Sequence, residues 1–224
     1  MTVMSGEEAC RLAYEGKLEE LRKAIEDNPA LATIKDQGQR QPIHWACSGG
    51  QDMVLYYLVN SHNASIHEAD DAGWTPLIIA ASAGRDQIVE NLLRQYADVN
   101  HVTSTGHTAL LYAASKNRFN IAKLLIDAGA DVNVQEQTTG ASPLHRAASL
   151  GHMKIATLLL DNKAKVNAQD KQGNTPLHLA CEEERTELAE LLNYNDASLT
   201  ILNSEKKSPL DLSPPFLVRR LKGD

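Results

Sequence analysis
The sequence predicts an all-α fold: a solenoid of about seven helix-turn-helix repeats joined by turn or hairpin tips. Three observations carry this. A proline-led motif recurs at a fixed interval, an amphipathic stripe follows each motif, and glycine or asparagine stands where most first helices should stop. The proline slots are Pro42, Pro76, Ala109 (the one substitution), Pro143, Pro176 and Pro209, spaced 34, 33, 34, 33 and 33 residues apart.

The unit is clearest from Asp170 to Leu192. Asp170-Lys171-Gln172-Gly173 is turn chemistry. Thr175 supplies an N-cap oxygen, and Pro176 opens a helix at the turn where its missing N–H is harmless. Leu188, Leu191 and Leu192 then mark a second helix. Neither helix is long enough to stand alone in water. Each repeat must therefore bury its apolar stripe on a neighbour. A 33-residue period with Thr175-Pro176-Leu177-His178-Leu179-Ala180 resembles the ankyrin repeat. Pro42-Ile43-His44-Trp45-Ala46, Thr75-Pro76-Leu77-Ile78-Ile79-Ala80 and Pro143-Leu144-His145-Arg146-Ala147 repeat the motif, and Thr108 to Ala113 keeps the register.

The repeats fall at about 6–36, 37–69, 70–102, 103–136, 137–169, 170–202 and 203–224, as one domain over 1–224. Residues 1 to 5 read as a frayed tail. Leu18, Leu21 and Ile25 stripe the second helix of an N-terminal cap that Asn28-Pro29 ends. Gly50, Gly84, Asn117, Gly151 and Glu184 share the left-handed slot after each first helix, where glycine or asparagine fits and glutamate does not. Second-helix stripes recur at Val54/Leu55/Leu58, Ile88/Val89/Leu92/Leu93, Ile121/Ala122/Leu124/Leu125 and Ile155/Ala156/Leu158/Leu159. At the far end, Ser208-Pro209-Leu210 opens a helix that Pro214-Pro215 cuts short. Ser213 is then expected to cap a final helix over Phe216 to Leu221 with Pro214 in its first position, and basic residues make this end a soluble cap.

A net charge of −7 argues against nucleic acid or an anionic membrane as partner. No leader and no run of 18 apolar residues is present, and the three cysteines lack a pairing pattern. Cytoplasm and nucleus are the expected compartments. His44, His145 and His178 share one register position, so they sit about 10 Å apart in successive helices. That is too far to share an ion bound at about 2 Å; the expected role is bonding backbone between turns. Cys47 and Cys181 read as buried structural thiols. No phosphate loop and no nucleophile–base arrangement is placed on one face, so no enzyme and no cofactor is expected.

Repeat proteins bind through varied residues on inner helices and tips. The residue two before each proline slot reads Arg40, Trp74, His107, Ala141, Asn174 and Lys207; the residue three after it reads Trp45, Ile79, Tyr112, Arg146 and Leu179. Aromatics and arginines are the usual anchors of interfaces. Charge is segregated too. Lys116, Arg118 and Lys123 stand in a stretch without acids, flanked by Glu68/Asp70/Asp71 and by Glu182/Glu183/Glu184/Glu187/Glu190. A partner with the inverse pattern is expected, acidic at its centre and basic towards both ends.

Particular repeats are worded more specifically than the motif requires. Asp70-Asp71-Ala72-Gly73-Trp74-Thr75-Pro76-Leu77, Tyr112-Ala113-Ala114-Ser115-Lys116-Asn117-Arg118 and Leu12-Ala13-Tyr14-Glu15-Gly16-Lys17-Leu18 resemble the gankyrin family, ankyrin-repeat non-ATPase subunits and assembly chaperones of the proteasome. The resemblance implies that a concave face holds the C-terminal domain of one proteasomal ATPase subunit. Arg40 and Lys116 would pair with its acidic residues and Asp71 with its basic ones, with Trp45, Trp74 and Tyr112 on the same face. Gly38 departs from the family, which has an acid there. The family is also linked to the retinoblastoma protein through Leu-x-Cys-x-Glu, kept here as Leu179, Cys181 and Glu183, and to cyclin-dependent kinase and ubiquitin ligase partners. Such strings bind extended, whereas this one falls in a helix; exposing it would cost several kcal/mol on the scale of domain stability. The alternative reading is a signalling scaffold or cyclin-dependent kinase inhibitor-like regulator on the same repeats.

Overall fold
A computed structural model of the chain describes residues 4–223. Among them are thirteen α-helices and two 3-10 turns, and no strand. The helices pair as α1 (Gly6–Glu15) with α2 (Leu18–Asp27), α3 (Pro42–Gly49) with α4 (Asp52–His62), and α5 (Pro76–Ala83) with α6 (Asp86–Arg94). Then follow α7 (Ala109–Ser115) with α8 (Phe119–Asp127), α9 (Pro143–Leu150) with α10 (Met153–Asp161), α11 (Pro176–Glu182) with α12 (Thr186–Tyr194), and finally α13 (Pro215–Lys222). Two compact units emerge, Met1–Ser104 and Thr105–Asp224. In the first, α3 packs between α1 and α5. In the second, α9 packs between α7 and α11, and the 3-10 turn Pro209–Leu212 closes the row against α11.

Small residues let these first helices approach. Ala13 and Ala46 in the first unit, and Ala114, Ala147 and Ala180 in the second, are fully buried. Outside the helices, backbone bonds tie each tip to the next. Asp71 N–H donates to the Gly38 carbonyl at 3.2 Å and Ser104 N–H to Ala72 at 3.0 Å. In the second unit, Gln137 N–H donates to Thr105 at 3.2 Å, Lys171 N–H to Thr139 at 2.8 Å and Ser204 N–H to Gln172 at 2.9 Å.

The register histidines form a second set of ties, as the sequence suggests. His145 Nδ1 accepts the Ser142 N–H at 3.1 Å, so Nε2 carries the hydrogen and donates to the Asn174 carbonyl, 2.9 Å away in the next repeat. His44 does the same between Gln41 and Glu68, and His178 between Thr175 and Lys207. Each ring is fully buried and neutral, with both nitrogens committed to backbone. Burial holds all three imidazoles below the usual value near 6.5.

Four expectations need correction. Ser5 caps α1 by accepting the Glu8 N–H at 3.2 Å, so the supposed tail is structured there; its residues 1–3 lie outside the described residues. The helix expected from Pro209 is a single 3-10 turn. Ser213 does not cap α13, because its hydroxyl donates back to the Pro209 carbonyl at 2.9 Å. Pro214 takes the cap position and Pro215 the first helical one. Glu184 keeps the left-handed conformation, at φ 53°, rather than rearranging the turn. A Cβ there is crowded by its own carbonyl.

Glu184→Gly is therefore expected to raise stability by about 1 kcal/mol; an unchanged or lower urea midpoint would contradict the strain. The histidines set a pH window. Their folded pKa values lie below the unfolded one, so the unfolded chain binds more protons as pH falls under 6.5. Stability from these groups is complete above that value and is lost as pH drops towards the folded pKa values. The fall in urea midpoint below pH 6.5 should be shallower in His145→Gln than in the wild-type chain; equal slopes would remove His145 from the account.

Candidate functional site
The tips carry one polar device at a period of 33 or 34 residues: Asp36, Asp70, Thr103, Glu136, Asp170 and Asn203. An acceptor oxygen here can hold the turn's own amides, the usual business of Asp and Asn in turns. Asp36 Oδ1 accepts Gly38 and Arg40 N–H at 2.9 Å each. Asp70 Oδ1 accepts Ala72 and Trp74 at 3.0 and 2.8 Å, and Asp170 Oδ1 accepts Gln172 and Asn174 at 2.9 and 2.8 Å. One carboxylate oxygen thus shapes the tip and leaves the other for a second donor.

In the first unit, Trp45 Nε1 donates to Asp36 Oδ2 at 2.8 Å, and Arg40 Nε donates to Asp70 Oδ2 at 2.8 Å. The Arg40 guanidinium also lies 5.5 Å from the Trp45 ring centroid, a cation–π distance. Tyr14 meets Trp45 edge-on at 6.2 Å, and a cleft of about 260 Å³ opens beside them, lined also by Cys10 and Arg11. Burial pushes the Cys10 thiol up to about 12, so it is inert.

These bonds revise the predicted surface. The Asp70 side chain is only 1% exposed and is internal to the tip. Ile79 is buried in α5 rather than open. Trp45 and Trp74 are half-buried, and Asp71 is exposed. Of the calls in this unit, the structure brings Arg40, Trp45 and Asp70 together. It leaves Asp71 for a partner.

The second unit contains a cluster that composition does not announce. Glu136 is 2% exposed and sits where its neighbours have aspartate. Its Oε2 meets His107 Nε2 at 2.7 Å, while Oε1 takes Arg146 and the Thr139 hydroxyl. His107 stacks on Tyr112 at 5.2 Å. Arg146 and Tyr112 are accordingly half-buried and oriented from below, and Lys116, at the end of α7, is exposed. Arg118 is exposed but belongs to another register. It matches Gln51, Arg85, His152 and Arg185, the residues after the left-handed slot, which staple back to a carbonyl of the preceding repeat: Gln51 to Tyr14 and Arg85 to Ser48 in the first unit, His152 to Ala114 and Arg185 to Ser149 in the second. It therefore lies away from the tips. Leu179 and Cys181 sit in α11 with Cys181 fully buried, and Glu183 is the exposed C-cap.

The period-33 ladder from Asp36 was the sequence signal that would have found Glu136. Removing a buried carboxylate that holds cations typically costs about 3 kcal/mol. Glu136→Ala should lower stability by about that much in urea denaturation, with Glu136→Gln in between. A loss under about 1 kcal/mol for the alanine variant would show the cluster to be dispensable.

Comparison with known proteins follows this geometry. The model described as ankyrin repeats (3 copies) matches residues 8–103, 43–136 and 110–203. The chain is 43% identical over 83 residues to the Dictyostelium discoideum 26S proteasome non-ATPase regulatory subunit 10, covering 37% of this chain and 36% of that protein. The Homo sapiens protein of the same name is 49% identical over 67 residues, 30% of this chain and 29% of its own. A probable 26S proteasome regulatory subunit p28 of Saccharomyces cerevisiae is 35% identical over 94 residues, 40% and 41% of the two chains. The chain thus spans about a third of the length of the subunit 10 relatives it matches. With the repeat pattern matched along most of its length, the chain belongs to the ankyrin-repeat family.

Proposed function
We propose that this chain is a non-catalytic protein-binding chaperone for assembly of the 26S proteasome regulatory particle base. It holds the C-terminal domain of an ATPase subunit on the face formed by the tips and inner helices. Occupancy alone does the work: a held ATPase domain is kept from docking early, and no covalent step is needed. Cytoplasm and nucleus are where it acts.

Supporting this are the similarity to proteasome regulatory subunits and one physical observation. Asp71 in the first unit and Lys116 in the second are exposed charges standing among Trp45, Trp74 and Tyr112, which neighbouring groups already orient. Pre-positioned aromatics beside free charges suit a folded partner, since little side-chain entropy is lost on docking. Retinoblastoma binding through Leu179, Cys181 and Glu183 is disfavoured in the folded chain, because the thiol is buried and the segment helical.

The double variant Asp71→Lys/Lys116→Glu should weaken capture of the ATPase C-terminal domain about tenfold with unchanged helicity, and association should slow as salt rises. Retained capture would misassign the face. Recovery of a kinase or transcription factor from lysate in place of ATPase subunits would support the signalling alternative.

A further inference from the structure
The carboxylates of the tips follow a rule with one exception. Each outer oxygen is met by a donor from its own repeat, from the repeat before, or from both. Asp36 takes Trp45 from its own repeat. Asp70, whose own repeat offers Ile79, takes Arg40 from the repeat before. Glu136 takes both Arg146 and His107. Asp170 has neither. Its own repeat places Leu179 where Trp45 and Arg146 stand, and the repeat before places Ala141 where Arg40 and His107 stand. Only Asp170 Oδ1 receives donors, the two turn amides; no donor among the described residues reaches Oδ2.

Space accompanies the missing donor. A cleft of about 310 Å³ opens at this point, lined by Asp170, Ala141 and Leu179 together with Thr139, Ser149 and Arg146. The small and apolar residues that supply no hydrogen bond are the ones that leave the room. Lys171 also borders it, but its ammonium donates to the Gln137 carbonyl, and Arg146 is drawn to Glu136. Both cations are thus turned onto other acceptors. Glu182 and Glu183 are exposed three and four residues beyond Leu179, on the same side of α11, and add negative potential at the mouth.

We propose that this cleft receives an arginine side chain of the bound partner, whose guanidinium supplies to Asp170 the hydrogen bond that Trp45, Arg40 and Arg146 supply within the chain at the other tips. The arginine stem lies along Leu179, as long cationic side chains cover apolar surface while their heads stay polar. The guanidinium fork suits a carboxylate with one oxygen already engaged. The identity of that partner rests on the proteasomal reading above; the chemistry of the cleft does not.

Asp170→Asn is the clean probe, because Asn203 forms the same tip one repeat on, accepting Glu205 and Lys207 N–H at 3.0 Å each. The turn survives and only the charge goes. Leu179→Arg is the second probe: it places an internal donor where Arg146 stands and fills the cleft. In titrations followed by NMR, N-acetyl-arginine amide should shift the Gln172 and Asn174 amides of the wild-type chain, N-acetyl-glutamate amide should not, and both variants should lose the response. Capture of the ATPase C-terminal domain should fall about tenfold in each variant at unchanged urea midpoint. Absence of any arginine response, a response to glutamate instead, or wild-type capture by Asp170→Asn would overturn the inference. If the wild-type chain captures no ATPase domain while the arginine response holds, the proteasomal reading fails and the cleft assignment stands.

Discussion
Every repeat here is held to the next by polar groups of its own backbone, and the rest of the structure depends on that link. A pair of helices of seven to eleven residues cannot bury both faces by itself. Stacking supplies the missing apolar neighbour, but apolar contact alone is indifferent to register. The buried imidazoles are not. With Nδ1 taking the amide that begins its own helix and Nε2 reaching one carbonyl of the next repeat, His145 permits a single rotational setting between neighbours. The tip amides repeat the constraint a few residues away. Where Ile78 or Leu111 replaces the histidine, the threonine cap and the tip bond remain.

That division explains what was legible in the sequence. The proline slots, the threonine caps and the glycines of positive φ are local properties of the chain, so periodicity exposes them without any knowledge of contacts. Glu184 shows the converse. Its left-handed conformation is imposed by the stack, since Arg185 beside it staples to the Ser149 carbonyl at 3.2 Å and the turn cannot open without losing that bond. The C-terminal end was misread for a similar reason. The Ser213 hydroxyl had two local choices, and the 3-10 turn before it offered the nearer carbonyl.

The surface was harder to read than the fold, because whether a charge is free is decided far along the chain. Arg40 reads as an open anchor until Asp70, thirty residues on, is seen beneath it. Arg146 is likewise tied to Glu136, an acid lying outside the segregated charge blocks. Asp70 moves from partner contact to turn former, and Ile79 from exposed to buried. Asp71 and Lys116 keep the role that the sequence suggested for them, for the simple reason that no neighbour competes for their charge in the structure.

Self-satisfied pairs of this kind change what a partner can gain. An arginine already bonded to a buried carboxylate still presents its flat face and its remaining N–H groups, but its charge is largely neutralised and its rotamer is set. Such residues favour shape and stacking over long-range attraction. The free charges do the opposite: they steer, and contribute less once contact is made. Specificity then comes from where the internal pairing is incomplete. A partner that supplies a group the chain lacks gains a bond at no cost in breaking one, whereas a partner that must displace Arg40 or Arg146 first loses what the tip has already made. The tip at Asp170, where both internal donors are absent, is for that reason the place where one folded partner is most readily told from another.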